Sequence, residues 1–107
     1  MAESELPPIV QKIARDYPEV WAAYNELGRA TAAVDLLDPG QERLLKLAMA
    51  VGARLEGAVR AHARRAQAAG IEARTLQHIA LLAIPTIGWP SAVAALSWIE
   101  DELVATR

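Results

Sequence analysis

DPGQERLLKLAMAVGARLEGAVRAHARRAQAAG, residues Asp38 to Gly70, is the stretch on which the fold turns. It opens with a helix-start signal: Asp38 is placed as N-cap, Pro39 at the first helical position, and Gln41 where it completes a capping box. It closes on Gly70, the residue type favoured just past a helix end. Between these marks Leu44, Ala48, Val51, Leu55, Ala58 or Val59, and Ala66 recur at three- and four-residue steps, and His62 falls on the same stripe. The one ionisable residue expected on the buried face is therefore a histidine. Gly52 and Gly57 lie inside the stretch, and each costs about 1 kcal/mol relative to alanine in a helix interior. A break is expected between Val51 and Gly57, with Leu55 to His62 opening a second helix.

Working outward, the flanking segments carry the same helical period. Met1 to Glu5 is a polar lead expected to fray. Leu6 to Tyr17 presents Ile9, Val10, Ile13 and Ala14 along one edge, with Pro7 and Pro8 suited to a first turn. Pro18 restarts the chain, and Val20, Trp21, Tyr24, Leu27, Ala30 (or Thr31) and Val34 predict a helix to about Leu36. Beyond Gly70, a helix is expected from Leu76 to about Thr86 with Ile79, Leu82 and Ala83 inward, ended or kinked by Pro85. Gly88, Trp89 and Pro90 predict a turn. A last helix from about Pro90 to Val104 would carry Val93, Leu96 (or Ala95), Ile99 and Leu103, and Trp21 and Trp98 read as core. No run alternates with period two, so the fold class is all-α, a compact bundle of five to six helices.

Composition sets the outer bounds. At 107 residues the chain is read as a single domain, 1–107, with a modest core. Its 53% apolar content is more than a monomer of this size hides easily, which points to association with copies of itself. A net charge of -2 gives no footprint for nucleic acid, and no apolar run is long enough to span a bilayer. A soluble, cytoplasmic protein is expected. Cysteine is absent, which removes disulfides, thiol catalysis and thiolate metal sites. His78 has no companion at a ligand spacing, so no metal and no cofactor are expected.

The order of these features resembles the carboxymuconolactone decarboxylase-like family of the alkylhydroperoxidase D-like superfamily. The resemblance is carried by YPEVWAAYNELGRA, then ERLLKLAMAVG, then LEGAVRAHARRAQAAGI with a histidine shortly before a basic pair and a glycine, and finally IGWPSAVAAL. It implies a trimer or a dimer of trimers built on the central stretch. The superfamily's peroxidase branch uses a glutamate, a Cys-x-x-Cys pair and a histidine. His62 matches that histidine, but the cysteine positions fall on Leu55 and Ala58 and the glutamate position on Arg43. Glu42 is one residue out of phase, about 100° around a helix. Thiol peroxidase chemistry is excluded.

The decarboxylase branch needs no cysteine. By resemblance it implies a lyase acting on a lactone carboxylate from aromatic-compound breakdown, with loss of carbon dioxide and return of a proton to carbon. That chemistry needs cations or donors for the oxygens and a positioned acid. Candidates are His62 as proton donor, Glu56 as its orienting partner, Arg43 and Arg60 for the anion, and Trp89 as a wall. Each has a plainer role. His62 can be a satisfied interior histidine, and Arg43 an ion-pair partner. Glu56 and Arg60 form an i, i+4 surface pair by default, while Arg60, Arg64 and Arg65 fit a solvated helix face. Trp89 fits a helix corner. The alternative function is a catalytically silent scaffold or small-ligand binder.

Overall fold

In the computed structural model, which describes residues 6–105, the chain forms six helices and no strand among the described residues. They are α1 (Pro8–Asp16), α2 (Pro18–Ala32), α3 (Pro39–Gly52), α4 (Glu56–Ala68), α5 (Ala73–Ile87) and α6 (Trp89–Ala105). The expected fraying of Met1 to Glu5 lies outside the described residues. The chain divides into two compact units, residues 1–36 and 37–107.

In the first unit α1 packs on α2, and neither helix contributes a buried residue. Trp21 is partly buried, its indole stacked on Tyr24 with ring centres 5.8 Å apart, rather than set in a core. The stripe Val20, Tyr24, Leu27 and Val34 is likewise uncovered. α2 ends at Ala32, short of the expected Leu36. Asp35 adopts φ +59 and its N–H bonds to the Ala32 carbonyl, a left-handed step that aspartate tolerates better than most residues.

The second unit is a four-helix bundle in which α3 packs on α4 and α5, and α6 packs on the same two helices. Its core is Leu47, Ala50 and Val51 from α3, Val59, Ala63 and Ala66 from α4, Leu76 and Ala80 from α5, and Ala95, Ile99 and Leu103 from α6. Trp98 packs against this core, as expected. Five of the eleven residues are alanine, so the helices approach closely around a small apolar volume.

The start of α3 follows the sequence reading. Asp38 accepts from the Gln41 N–H at 2.8 Å, and Gln41 Oε1 accepts from the Asp38 N–H at 3.0 Å. Both bonds satisfy first-turn donors that the helix itself cannot pair. The expected break is at Ala53–Leu55. The Leu55 N–H bonds to the Ala50 carbonyl and the Arg54 N–H to the Val51 carbonyl, the pairing of a Schellman ending. α4 ends in the same way, Ile71 to Ala66 and Gly70 to Gln67. There the left-handed residue is Gly70, at φ +92, where a side chain would be strained. In the first turn it is Arg54, at φ +58. A non-glycine residue pays about 1 kcal/mol in that region, and the Arg54 side chain offsets this with an Nε–H···Oγ bond of 3.0 Å to Ser91 at the start of α6.

Three expectations shift. The buried stripe of α3 is turned by one residue, about 100°, onto Leu47, with Ala48 exposed and Leu44 only half-covered. Leu55 is also exposed. α3 is apolar nearly all round from Leu44 to Val51, so periodicity alone does not fix its phase. α5 begins at Ala73 and runs through Pro85 to Ile87. Pro85 and Leu81 both face outward, so the Leu81 carbonyl that loses its N–H partner is open to water. Leu82 is exposed, and Leu76 and Ala80 take the core positions. Gly88, at φ +90, serves both helices of the α5–α6 corner: its N–H caps Ile84 and its carbonyl accepts from Ala92. Trp89 therefore opens α6 instead of forming a turn, and Ala92 takes the inner place expected of Val93, while Ala95, Ile99 and Leu103 are buried as expected.

Candidate functional site

The candidate site follows from how α4 turns its residues between two neighbours. Val59, Ala63 and Ala66 define the buried line of α4. At about 100° per residue, His62 lies on one flank of that line with Arg65 beyond it, and Glu56, Arg60 and Arg64 lie on the other. The structure populates both flanks, with different chemistry.

On the far flank Glu56, Arg60 and Arg64 meet the C-terminal half of α6. Arg60 Nε donates to Glu56 at 3.0 Å, its Nη2 to Asp101 at 3.2 Å and its Nη1 to Glu102 at 3.2 Å. Arg64 Nη1 donates to the other carboxylate oxygen of Glu102. Burial works against the Arg60 charge, but the bonds to Glu56, Glu102 and Asp101 outweigh it and hold the guanidinium above its ordinary value. The i, i+4 pairing of Glu56 with Arg60 is thus present. The solvated face expected of Arg60 and Arg64 is instead a half-buried clamp between α4 and α6. Sequence reasoning did not single out Glu102, because nothing in a one-dimensional pattern brings residues about 40 positions apart together.

On the near flank stands His62. It is half-buried on the shoulder of the core, and no buried residue of the bundle is polar or charged among those described. The expectation of an ionisable group inside the core is therefore corrected: Ala63 takes the interior place. No hydrogen bond is made by the imidazole among the described residues. Burial first, and then the positive charges of Arg65, Lys46 and Arg43, push its proton affinity below the ordinary histidine value.

The structure therefore brings His62 together with Arg43, and adds Lys46 and Arg65, which the sequence reading had not placed in the site. It does not bring Glu56 to the imidazole, and it commits Arg60 to α6. Trp89 is two-thirds exposed at the first residue of α6. No cluster of metal-ligating side chains occurs among the described residues. What the near flank can do chemically is bind an anion and move one proton.

The direction of the His62 shift predicts an acid-labile contribution to stability. A histidine whose folded value lies below its unfolded one resists protonation only in the native state. Its stabilisation is complete above about pH 6.5 and is lost as pH falls from there through the lower native value. Thermal midpoints of the native protein and His62→Gln should therefore diverge between pH 7.5 and pH 5.5, the native protein losing more. Parallel losses would show that His62 titrates as it does in water.

The profile described as Carboxymuconolactone decarboxylase family matches residues 18–101, from the start of α2 into α6. An uncharacterized protein of Haemophilus influenzae (strain ATCC 51907 / DSM 11121 / KW20 / Rd) is 39% identical over 55 residues. That match spans 51% of this chain and 49% of the relative. No solved structure gives a significant match.

Proposed function

The chain belongs to the carboxymuconolactone decarboxylase family, and from that premise we propose that it is a cysteine-free lyase acting on a small organic acid or lactone of aromatic-compound catabolism. The observation that carries this reading is a half-buried imidazole on which the charges of Arg65, Lys46 and Arg43 act, none of the three being ion-paired among the described residues. In such a reaction the bond to the departing carboxylate breaks and carbon dioxide leaves. The electron pair moves toward the lactone carbonyl, and a proton is returned to carbon. Cations near the oxygens that gain charge, Arg43 first, stabilise that movement of electrons, and His62 is the group positioned to hand over the proton. A bound anion partly cancels the positive field at the imidazole, which favours its protonated form when ligand is present.

The full reading takes residues 1–107 as one working domain, in line with a family match that runs from α2 to α6. It also takes the protein to be a cytoplasmic homotrimer or homohexamer. Support for self-association comes from uncovered apolar side chains: Val20, Tyr24 and Leu27 on α2, and Leu45 and Met49 on α3. None of the helices is long and apolar enough to cross a membrane among the described residues.

The test is a thermal-shift screen of small mono- and dicarboxylates and lactone acids on the native protein and on His62→Leu. A stabilising acid whose effect changes in the variant, followed by carbon dioxide release from that acid, supports the lyase. If an acid binds through His62 and releases no carbon dioxide, the chain is a silent ligand-binding relative. If no acid binds, the small-acid reading falls.

A further inference from the structure

α3 and α4 are joined by the short turn at Arg54 and pack on each other, so residues equally far from Arg54 stand at similar levels along the two helices. Lys46 and His62 are each eight positions from it, and Arg43 and Arg65 each eleven. Within each helix the two residues are three apart and share a face. The four side chains thus form the corners of one small patch on the near flank of the bundle, all half-buried.

Resting on the small-acid reading above, we propose that Lys46 and Arg65 join Arg43 as the anion-binding groups of the His62 site, holding a ligand carboxylate across the α3–α4 pair, while Arg60 belongs to the frame. The contrast with the other flank argues for it. Arg60 and Arg64 are ion-paired with Glu56, Asp101 and Glu102, although the buried Arg64 Nε has no hydrogen-bond partner among the described residues. Arg43, Lys46 and Arg65 make no ion pair among the described residues, and neither does Glu42 beside Arg43. In a chain whose net charge is negative, three cations gathered without a counter-charge at a partly covered imidazole repel one another. The stable partner for such a patch is an anion from solution, and guanidinium and ammonium groups bind carboxylate oxygens strongly. After burial, the same charges lower the proton affinity of the imidazole, and a bound anion would oppose their effect.

The experiment measures binding of two probes, succinate and inorganic phosphate, by calorimetry at low salt. The proteins are the native chain, Lys46→Met, Arg65→Met and the exposed control Arg74→Gln, with folding checked by circular dichroism. The His62 ring proton followed by NMR reports where each probe sits. Each of the two methionine variants is expected to weaken succinate binding about tenfold, with the control unchanged. Succinate binding that is equal in all four proteins overturns the role of Lys46 and Arg65 and leaves the small-acid reading standing. Phosphate binding that depends on Lys46 and Arg65, with no binding of succinate, upholds the cradle and removes the small-acid reading. Absence of both probes from the native protein overturns both.

Discussion

Replacing Leu47 by alanine is expected to destabilise the protein by about 4 kcal/mol, the largest effect of any single substitution considered. Leu47 is fully buried at the centre of α3. The cost of truncating a core leucine is the lost transfer energy plus a penalty for the space left empty, and that penalty depends on whether neighbours can move in. The core that Leu47 belongs to includes Ala50, Ala63, Ala66, Ala80 and Ala95, whose methyl groups have no rotamers with which to reach across a gap. The cavity therefore stays open, which places the loss in the upper part of the usual range. Against the 5 to 15 kcal/mol typical of a whole domain, roughly, such a loss leaves a substantial unfolded fraction on warming. Urea titration at fixed protein concentration checks it, with Arg74→Ala, truncated at an exposed position of α5, within about 0.5 kcal/mol of the native protein. A loss under about 2 kcal/mol for Leu47→Ala would mean that the helices close the gap by moving.

The second large effect concerns Glu102. Its carboxylate receives Arg60 on one oxygen and Arg64 on the other, and its side chain is only 12% exposed. Glu102→Gln keeps the shape and removes the charge. Arg64, 20% exposed, then loses the carboxylate it pairs with, while Arg60, 28% exposed, loses one of three and keeps Glu56 and Asp101. Stranding a fully buried charge costs about 3 to 5 kcal/mol, and partial hydration here reduces that to about 2. For a unit of this size about 2 kcal/mol corresponds to roughly 10 °C in the thermal midpoint. Glu56→Gln, which removes a more exposed partner of Arg60 alone, should cost under about 0.5 kcal/mol. Equal, small losses for both would show that the clamp between α4 and α6 contributes little. Raising salt to about 1 M should narrow the gap between native and Glu102→Gln proteins, since partly hydrated charges are screened.

Much of this architecture was legible in the residues because its signals are local. The capping box at Asp38–Gln41, the stop at Gly70 and the break near Arg54 depend on groups within a few positions of each other, and all three occur where those groups predict. The break is achieved by an arginine in left-handed geometry rather than by Gly52 or Gly57, which no propensity would suggest. What failed was phase. On α3 apolar residues surround the helix, and only Val51 of its expected positions is fully buried; on α5 the inward Ala80 is too weakly apolar to stand out beside the exposed Leu82, whereas on α6 Ile99, Leu103 and Ala95 are buried as read and only Val93 is not.

The candidate site was legible only in part for a related reason. His62 and Arg43 stand out by residue type, but Lys46 and Arg65 acquire meaning once α3 and α4 are folded against each other. Arg60 and Glu56 looked available because their partners, Asp101 and Glu102, lie on a helix at the other end of the chain. A flank assignment by helix angle from Val59, Ala63 and Ala66 would have separated His62 from Glu56, had the buried line of α4 been known.

The alanine-lined interior also separates what can change from what cannot. Because the methyl groups of Ala50, Ala63 and Ala66 leave no slack between helices, any enlargement inside would wedge the scaffold apart. The polar rectangle at positions 43, 46, 62 and 65 shares none of those atoms. Under the small-acid proposal, exchanging its charges for neutral or acidic groups would change which small molecules bind while the frame beneath stays as it is. Repurposing this protein by directed evolution is therefore a matter of repainting one outer shoulder.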